Sequence, residues 1–380
     1  MNSWFPEIKK NFGFGCMRLP MVGDKVDIPQ TTKMVDTFLE LHNLEDTAAN
    51  RYAMENKLRT GGYSVYYFDT AHGYIGGQSE TALKQCLTSR HPRESYILTN
   101  KLSGNFFKTS EEVRPLVQQQ LDACGVEYFD FFLMHAMNLS GHQRYLELGC
   151  YDIAQELKAE GKIRHMGISF HDTAEVLDKI LTDRPDIEIV QIQYNYVDYA
   201  DPIIQSKECY EVCKKHNKPV IVMEPVKGGS LVNLPQKALD LMKDCPASYA
   251  IRFAADPENM VMVLSGMSTQ EQMEDNLRYM ENYQHLTAED KDIIDRVRTI
   301  YQGQHRIPCT ACRYCVDGCP AGIPIPDLFA AFNEFRQEKR TDTEGFSKAA
   351  ECVECGQCED ICPQKLHIRE LLKEVAATAK

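Results

Sequence analysis

The chain has 380 residues, 43% hydrophobic and 26% charged, a balance ordinary for a globular protein with room for one large domain and a small one. Its formal net charge of −13 argues against nucleic-acid binding, which usually needs a basic face. No apolar run of about 18 residues is present, and the N-terminal MNSWFPEIKKNFGFG lacks the apolar stretch of a signal peptide, so the expected location is the cytoplasm.

From residue 12 to 285, short β-branched or aromatic runs alternate with helical patterns. In chain order the runs are GFGCM, VYYFDTA, SYILTNK, FDFFLMH, RHMGISF, EIVQIQYN, PVIVMEP and MVMVLSGM. Amphipathic stretches such as EEVRPLVQQQLDACG, DIAQELKAEGK and TAEVLDKIL separate them. Eight strand-like units alternating with helices predict an α/β fold, a (β/α)₈ barrel. A doubly wound open sheet is the competing topology, but no run opens into the G-x-G-x-x-G of a dinucleotide-binding unit; Gly13 and Gly15 supply only its first half. Residues 41–62 lengthen the first strand-to-strand connection and read as an extra helix or an insertion on the substrate side. The segments STQEQMEDNLRYMEN and TAEDKDIIDRVRTIYQG predict two closing helices, which puts the barrel at 1–303 and a cysteine-rich tail at 304–380.

Of fifteen cysteines, seven are scattered (Cys16, Cys86, Cys124, Cys150, Cys209, Cys213 and Cys245) and read as small buried hydrophobes. The other eight form Cys309-x₂-Cys312-x₂-Cys315-x₃-Cys319-Pro320 and Cys352-x₂-Cys355-x₂-Cys358-x₃-Cys362-Pro363, two copies offset by 43 residues. This is the bacterial ferredoxin spacing, in which the fourth cysteine of each run crosses to the other cluster. It predicts two [4Fe–4S] clusters, one on Cys309, Cys312, Cys315 and Cys362, the other on Cys352, Cys355, Cys358 and Cys319. A pair of Cys₄ zinc sites is the competing reading, although zinc ligands usually come as separated pairs and not as triplets followed by Cys-Pro. The clusters either carry electrons or staple a tail too small for a large core.

Chemistry in a (β/α)₈ barrel sits at the C-terminal ends of its strands. Those ends supply Asp69 and Tyr74 after VYYF, Lys101 after YILTN and His135 after DFFLM. Free tyrosine, with a pKa of about 10, gives up a proton poorly near neutrality. A Lys101 ammonium beside it, held by the Asp69 carboxylate, lowers that value. His135 then orients a carbonyl oxygen, an arrangement suited to protonating an alkoxide as it forms.

With FDTAHGY, TNKL and FFLMH in that order, the sequence resembles the aldo-keto reductase superfamily over residues 12–285. The resemblance makes Asp69, Tyr74, Lys101 and His135 a catalytic tetrad and implies NADP(H) or NAD(H) as cofactor. By the same resemblance GISFH, with Ser169 and His171, meets the nicotinamide carboxamide. QIQYN sets Gln193 beside the nicotinamide ring and Asn195 at the rim. EPVKGGSL offers Lys227, Gly228 and Gly229 to the pyrophosphate, and SGMSTQEQMEDN brings Ser265, Glu271 and Asn276 to the adenosine. Relatives that prefer NADPH often carry basic residues in this last segment, which here has none before Arg278.

The whole resembles a bacterial branch of these reductases fused to a C-terminal ferredoxin-type domain. The expected activity is hydride transfer between a nicotinamide and a small carbonyl or alcohol, with neither nucleic acid nor membrane. Because a hydride carries two electrons and a cluster accepts one, either a separate one-electron redox partner protein splits the pair, or the clusters are structural, or a further cofactor binds. The competing function is a redox-sensing or electron-carrying module whose barrel binds the cofactor without turnover.

Overall fold

In the computed structural model, which describes residues 4–8, 11–39, 66–280 and 283–379, the eight runs close into a parallel barrel. Its strands are β1 (Phe12–Gly15), β2 (Tyr66–Asp69), β3 (Tyr96–Leu102), β4 (Phe129–Met137), β5 (Ile163–Phe170), β6 (Ile189–Gln193), β7 (Val220–Met223) and β8 (Met260–Ser265). Each pairs with the next in sequence, and β8 returns to β1. The predicted (β/α)₈ barrel is the observed fold, and the open sheet is excluded. The strands read as nearly unbroken apolar runs because both faces of a parallel sheet are covered. The insertion expected at 41–62 lies outside the described residues. No helix among the described residues is long and apolar enough to cross a membrane.

The chain divides into two compact units. The first comprises Met1–Ala200, Gln205–Pro225 and Ala250–Leu286 and holds all eight strands. Side chains alternate across a strand, so residues two and four apart share the barrel interior. Tyr67, Ile97, Phe131, Leu133, Ile189 and Ile221 fill the lower interior together with Phe5 and Met262. The same alternation carries polar residues upward: Asp69 is two beyond Tyr67, Lys101 four beyond Ile97, His135 two beyond Leu133, and Gln193 four beyond Ile189. An apolar floor and a polar rim thus follow from one period-two pattern. Helices such as Val113–Cys124 pack outside, that one ending where Gly125 takes φ 67°.

The second unit comprises Asp201–Ile204, Val226–Tyr249 and Thr287–Lys380. It therefore takes in, besides the cysteine-rich tail, the helix Ala288–Gln302, started by a Thr287/Asp290 capping box, and the segment that follows β7. Tyr301 from that helix donates to Ser230 Oγ at 3.1 Å. The tail repeats in structure as it does in sequence. Short helices Tyr314–Asp317 and Gln357–Asp360 are 43 residues apart, as are the starts of the longer helices Ile325–Arg336 and Ile368–Thr378. Ile323, Ile325, Phe329, Phe332, Phe346, Ile368, Leu372 and Val375 form the core between them. Buried Asn333 accepts from Ile307 N and donates to Ile307 O, which pins the start of the tail to the first long helix.

Of the seven scattered cysteines, six are buried and Cys245 is partly exposed. Their burial fits the expected role as small core residues.

Candidate functional site

β2, β3 and β4 are adjacent, so their C-terminal ends bring Asp69, Lys101 and His135 to one arc of the rim. Lys101 is fully buried; its Nζ donates to Asp69 Oδ1 at 2.5 Å and to the Thr70 carbonyl at 2.8 Å. Gln191 Nε2 donates to the other carboxylate oxygen at 3.3 Å. A buried charge is tolerated only when it is paired and hydrogen-bonded in this way. Burial pushes the Asp69 carboxyl above its ordinary value, against the opposing pull of Lys101.

Tyr74 stands on the loop after β2, and Lys101 Nζ lies 4.7 Å from the centre of its ring. The His135 imidazole meets the same ring edge-on, with centroids 5.9 Å apart. His135 Nδ1 shares a 2.6 Å hydrogen bond with Ser103 Oγ. Burial, then the charge of Lys101 and the neighbouring His171, hold this imidazole well below its ordinary value, so it is neutral near pH 7. The four residues named from the strand ends therefore stand together: a buried ion pair, a phenol over it, and a neutral imidazole alongside.

A second set of groups holds this arrangement. Asn100, one residue before Lys101, points to the opposite face of β3 and accepts from Lys101 N and from Gln120 Nε2. It donates to the buried carboxylate of Glu80 at 2.7 Å, whose other oxygen shares a 2.8 Å bond with His72 Nδ1. Thr70 Oγ1 and Ser79 Oγ lie 2.8 Å apart, and Ser79 donates to the Cys16 carbonyl. The Tyr74 loop is thus fastened to β3 and to the end of β1. Phe106 closes against His72, ring to ring at 4.7 Å.

The residues expected at the cofactor, other than Lys227, Gly228 and Gly229, lie in the first unit along the same rim. Ser169, at the end of β5, accepts from Ala136 N at 2.8 Å, and His171 N donates to the Met137 carbonyl. Gln193 and Asn195 both donate to Asp198 Oδ2, each at 2.6 Å. Asn276 donates to Ser265 Oγ at 2.8 Å and accepts from the Tyr279 hydroxyl, so those two expected residues are joined directly. Glu271 is exposed on the same helix. Ser268 Oγ reaches the Arg18 carbonyl, and the Arg18 side chain passes over Gly266. The guanidinium itself faces Glu224, with Arg18 Nη2 3.9 Å from Glu224 Oε1. Lys227, Gly228 and Gly229 belong to the second unit, where Lys227 is buried and its Nζ donates to Gln364 at 2.8 Å.

In the tail the eight cysteines line two clefts, each partly open to solvent. One is lined by Cys309, Cys312, Cys315 and Cys362, the other by Cys319, Cys352, Cys355 and Cys358. This is the crossed grouping expected from the spacing. The backbone follows it: Ala311 and Arg313 in the first loop, like Glu354 and Gly356 in the second, take left-handed conformations, and so do Gly322 and Lys365 after the two Cys-Pro pairs. Left-handed residues in such loops turn backbone N–H groups toward a common centre, the kind of anion nest found around iron–sulfur clusters. Ala311 N points at Cys309 Sγ and Ile323 N at Cys319 Sγ, each at 3.5 Å. Burial and the nearby Cys312, Cys309 and Cys362 push the Cys315 thiol up to about 12. Four thiolates so placed repel one another unless a positive group sits among them, so the donor set fits a cluster.

The sequence pattern of the Aldo/keto reductase family matches residues 12–299. The chain belongs to the aldo/keto reductase family. The pattern of a 4Fe-4S dicluster domain matches residues 308–366, so this member of the family carries a C-terminal ferredoxin-type domain. Family membership makes it an oxidoreductase. Among curated proteins, none matches the sequence significantly.

Solved structures of similar fold include an aldo-keto reductase from Klebsiella pneumoniae in complex with NADPH, 19% identical, covering 76% of this chain and 90% of that one, with a TM-score of 0.53. The holo form of an aldo-keto reductase from Bacillus halodurans is 22% identical over 76% of this chain and 91% of that one, TM-score 0.52. A reductase from Brucella melitensis is 18% identical over 76% and 94%, TM-score 0.54.

Several groups escaped the sequence reading of this reductase: Ser103, Gln191, Glu80, Asn100, Asp198 and Arg18. Gln191 had a signal, since it lies two residues before Gln193 on the same strand face. Asp198 and Glu80 had none, because each acts on a partner that only the fold brings near.

Proposed function

We propose that this reductase moves a hydride between NADP(H) and a small carbonyl or alcohol, using Asp69, Tyr74, Lys101 and His135. The observation that carries the reading is the placement of Lys101 Nζ, bonded to Asp69 and set 4.7 Å from the Tyr74 ring centre, with His135 meeting the same ring edge-on. The bound nicotinamide supplies or takes the hydride. In the reducing direction His135, a neutral hydrogen-bonding group, orients the carbonyl oxygen. Tyr74 delivers its proton to that oxygen as negative charge develops, and the Lys101 charge stabilises the phenolate left behind. Asp69 fixes Lys101 so that no rearrangement is needed at that moment.

For the cofactor we assign, within the first unit, Ser169, His171, Gln193, Ser265, Glu271 and Asn276. We take NADP(H) over NAD(H) because the Arg18 side chain packs over Gly266, where a 2′-phosphate would compete with Glu224 for its guanidinium. In the tail we assign one [4Fe–4S] cluster to Cys309, Cys312, Cys315 and Cys362 and a second to Cys352, Cys355, Cys358 and Cys319.

The test is anaerobic purification with iron and sulfide analysis, followed by NADPH and NADH oxidation over a panel of aldehydes and ketones. About eight iron and eight sulfide per chain are expected, with turnover of at least one carbonyl. Zinc in their place would overturn the cluster assignment. NADPH binding without turnover of any carbonyl would favour the electron-carrier function instead.

A further inference from the structure

The two cysteine clefts are near-copies in backbone, yet their surroundings differ, most clearly beside the crossing cysteine. Each is lined by an arginine already matched to a carboxylate: Arg313 to Asp327 at 2.9 Å, and Arg369 to Glu359 at 2.7 Å. The residue two beyond the crossing cysteine is Gln364 at the Cys309/Cys312/Cys315/Cys362 cleft, and Ala321 at the other. Gln364 is buried, and its side-chain oxygen accepts from Lys227 Nζ at 2.8 Å. Lys227 is itself only 3% exposed. Ala321 has no side-chain acceptor with which to make such a bond.

The backbone around Lys227 is built for this approach. Lys227, Gly228 and Gly229 run through three successive left-handed conformations, with φ of 48°, 62° and 92°. A Cβ on Gly228 would stand 2.5 Å from the carbonyl oxygen of Thr310, the residue between Cys309 and Ala311 that also lines the first cleft. Only glycine permits so close a contact between the two backbones. A lysine buried against a cluster-binding loop, on a turn shaped to bring it there, needs a reason beyond packing.

We propose that Lys227 is a positioning residue that raises the reduction potential of the cluster held by Cys309, Cys312, Cys315 and Cys362, and so makes the two clusters unequal. This rests on the reading that those four cysteines hold a [4Fe–4S] cluster. Reduction adds negative charge to the cleft, and a fixed ammonium one side chain away stabilises that state in a medium that screens it poorly. Among the described residues no buried lysine reaches the lining of the cleft formed by Cys352, Cys355, Cys358 and Cys319, where the only lining cation, Arg369, is matched to Glu359, so that cluster reduces at the lower potential. Electrons entering the tail then come to rest on the first cluster.

The test is a redox titration followed by electron paramagnetic resonance on the full-length, cluster-loaded protein, with iron and sulfide measured in every sample. Wild type should show two separate one-electron steps. Lys227→Gln should lower the higher step by about tenfold in its equilibrium constant, or 59 mV, with the lower step unmoved and the iron content unchanged. Lys227→Arg should restore it. Gln364→Glu keeps the lysine but sets a carboxylate between it and the cleft, and should lower the same step. The proposal is overturned if neither Lys227→Gln nor Gln364→Glu moves a step, or if both steps move together. Loss of half the iron in Lys227→Gln also overturns it, since the residue would then shape the loop and not tune it. Wild type with far fewer than about eight iron would instead defeat the underlying cluster assignment.

Discussion

On the barrel rim, Asp69, Lys101 and His135 come from three neighbouring strands, whereas in the tail three cysteines of each cleft come from one short loop. The rim depends on long-range packing to bring its groups within reach, and a layer of buried polar side chains keeps them there. The tail writes its geometry locally, in cysteine spacing and left-handed turns, and asks the fold only for one crossing ligand. Damage should therefore differ in kind. A rim substitution should remove one chemical function and leave the structure intact, while a tail substitution should remove a whole inorganic group.

The sharpest test of the rim is Tyr74→Phe. The phenol's proton is needed only as the alkoxide forms, so its loss should appear in kcat and not in the cofactor's Kd. A fall of about 10²–10⁴-fold is expected from removing a positioned acid. Full activity on every substrate would remove Tyr74 from the mechanism.

The corresponding test of the tail is Cys362→Ala. If the fourth cysteine crosses over, iron should fall from about eight to about four. The thiols newly open to alkylation should be Cys309, Cys312 and Cys315, not the sequence neighbours Cys352, Cys355 and Cys358. Mass mapping of the labelled cysteines decides this, and labelling of the neighbours would mean that each run binds its own cluster.

The same contrast governs what the sequence made legible. The eight strands were readable because a parallel barrel demands apolar runs at regular intervals, and the cysteine clefts because their ligands are close in sequence. Asp69, Lys101 and His135 could be placed because the period-two alternation fixes which residue at a strand end faces inward. The groups that position them could not. Glu80 reaches Asn100 across 20 positions, Gln191 reaches Asp69 across 122, and Ser103 meets His135 across 32. Lys227 shows the limit most plainly: its loop reads as a phosphate nest, while its side chain bonds to Gln364, 137 positions away.

Glu80→Ala probes that hidden layer. It leaves Asn100 and His72 without their shared acceptor inside the protein, which should cost about 1–3 kcal/mol in thermal or denaturant unfolding. Loosening the Tyr74 loop should also lower kcat by about tenfold to a hundredfold, as small misplacements of catalytic groups do. NADPH binding should change little. A stability loss with unchanged kcat would show that the network supports the fold and not the tyrosine.

The smallest expected effect is an absence on the acid side of the rate profile. Histidine ordinarily titrates at a pKa of about 6.5, and an enzyme that needs its neutral imidazole would lose activity through that region. His135 is held well below that value, chiefly by burial and then by the charge of Lys101. A second positive charge beside Lys101 is disfavoured, so the neutral form persists as pH falls, and the rate of carbonyl reduction should stay level from about pH 8 to about pH 6. The decline should begin only where protons finally reach the imidazole, well below 6.5. Replacing Ser103 by Ala removes the 2.6 Å bond to Nδ1 but neither the burial nor the lysine, so the level region should survive in that variant at a lower rate. An acid limb centred near 6.5 in the wild type would mean that the imidazole is solvated during turnover, and that the rim opens to water in a way its buried ion pair does not suggest.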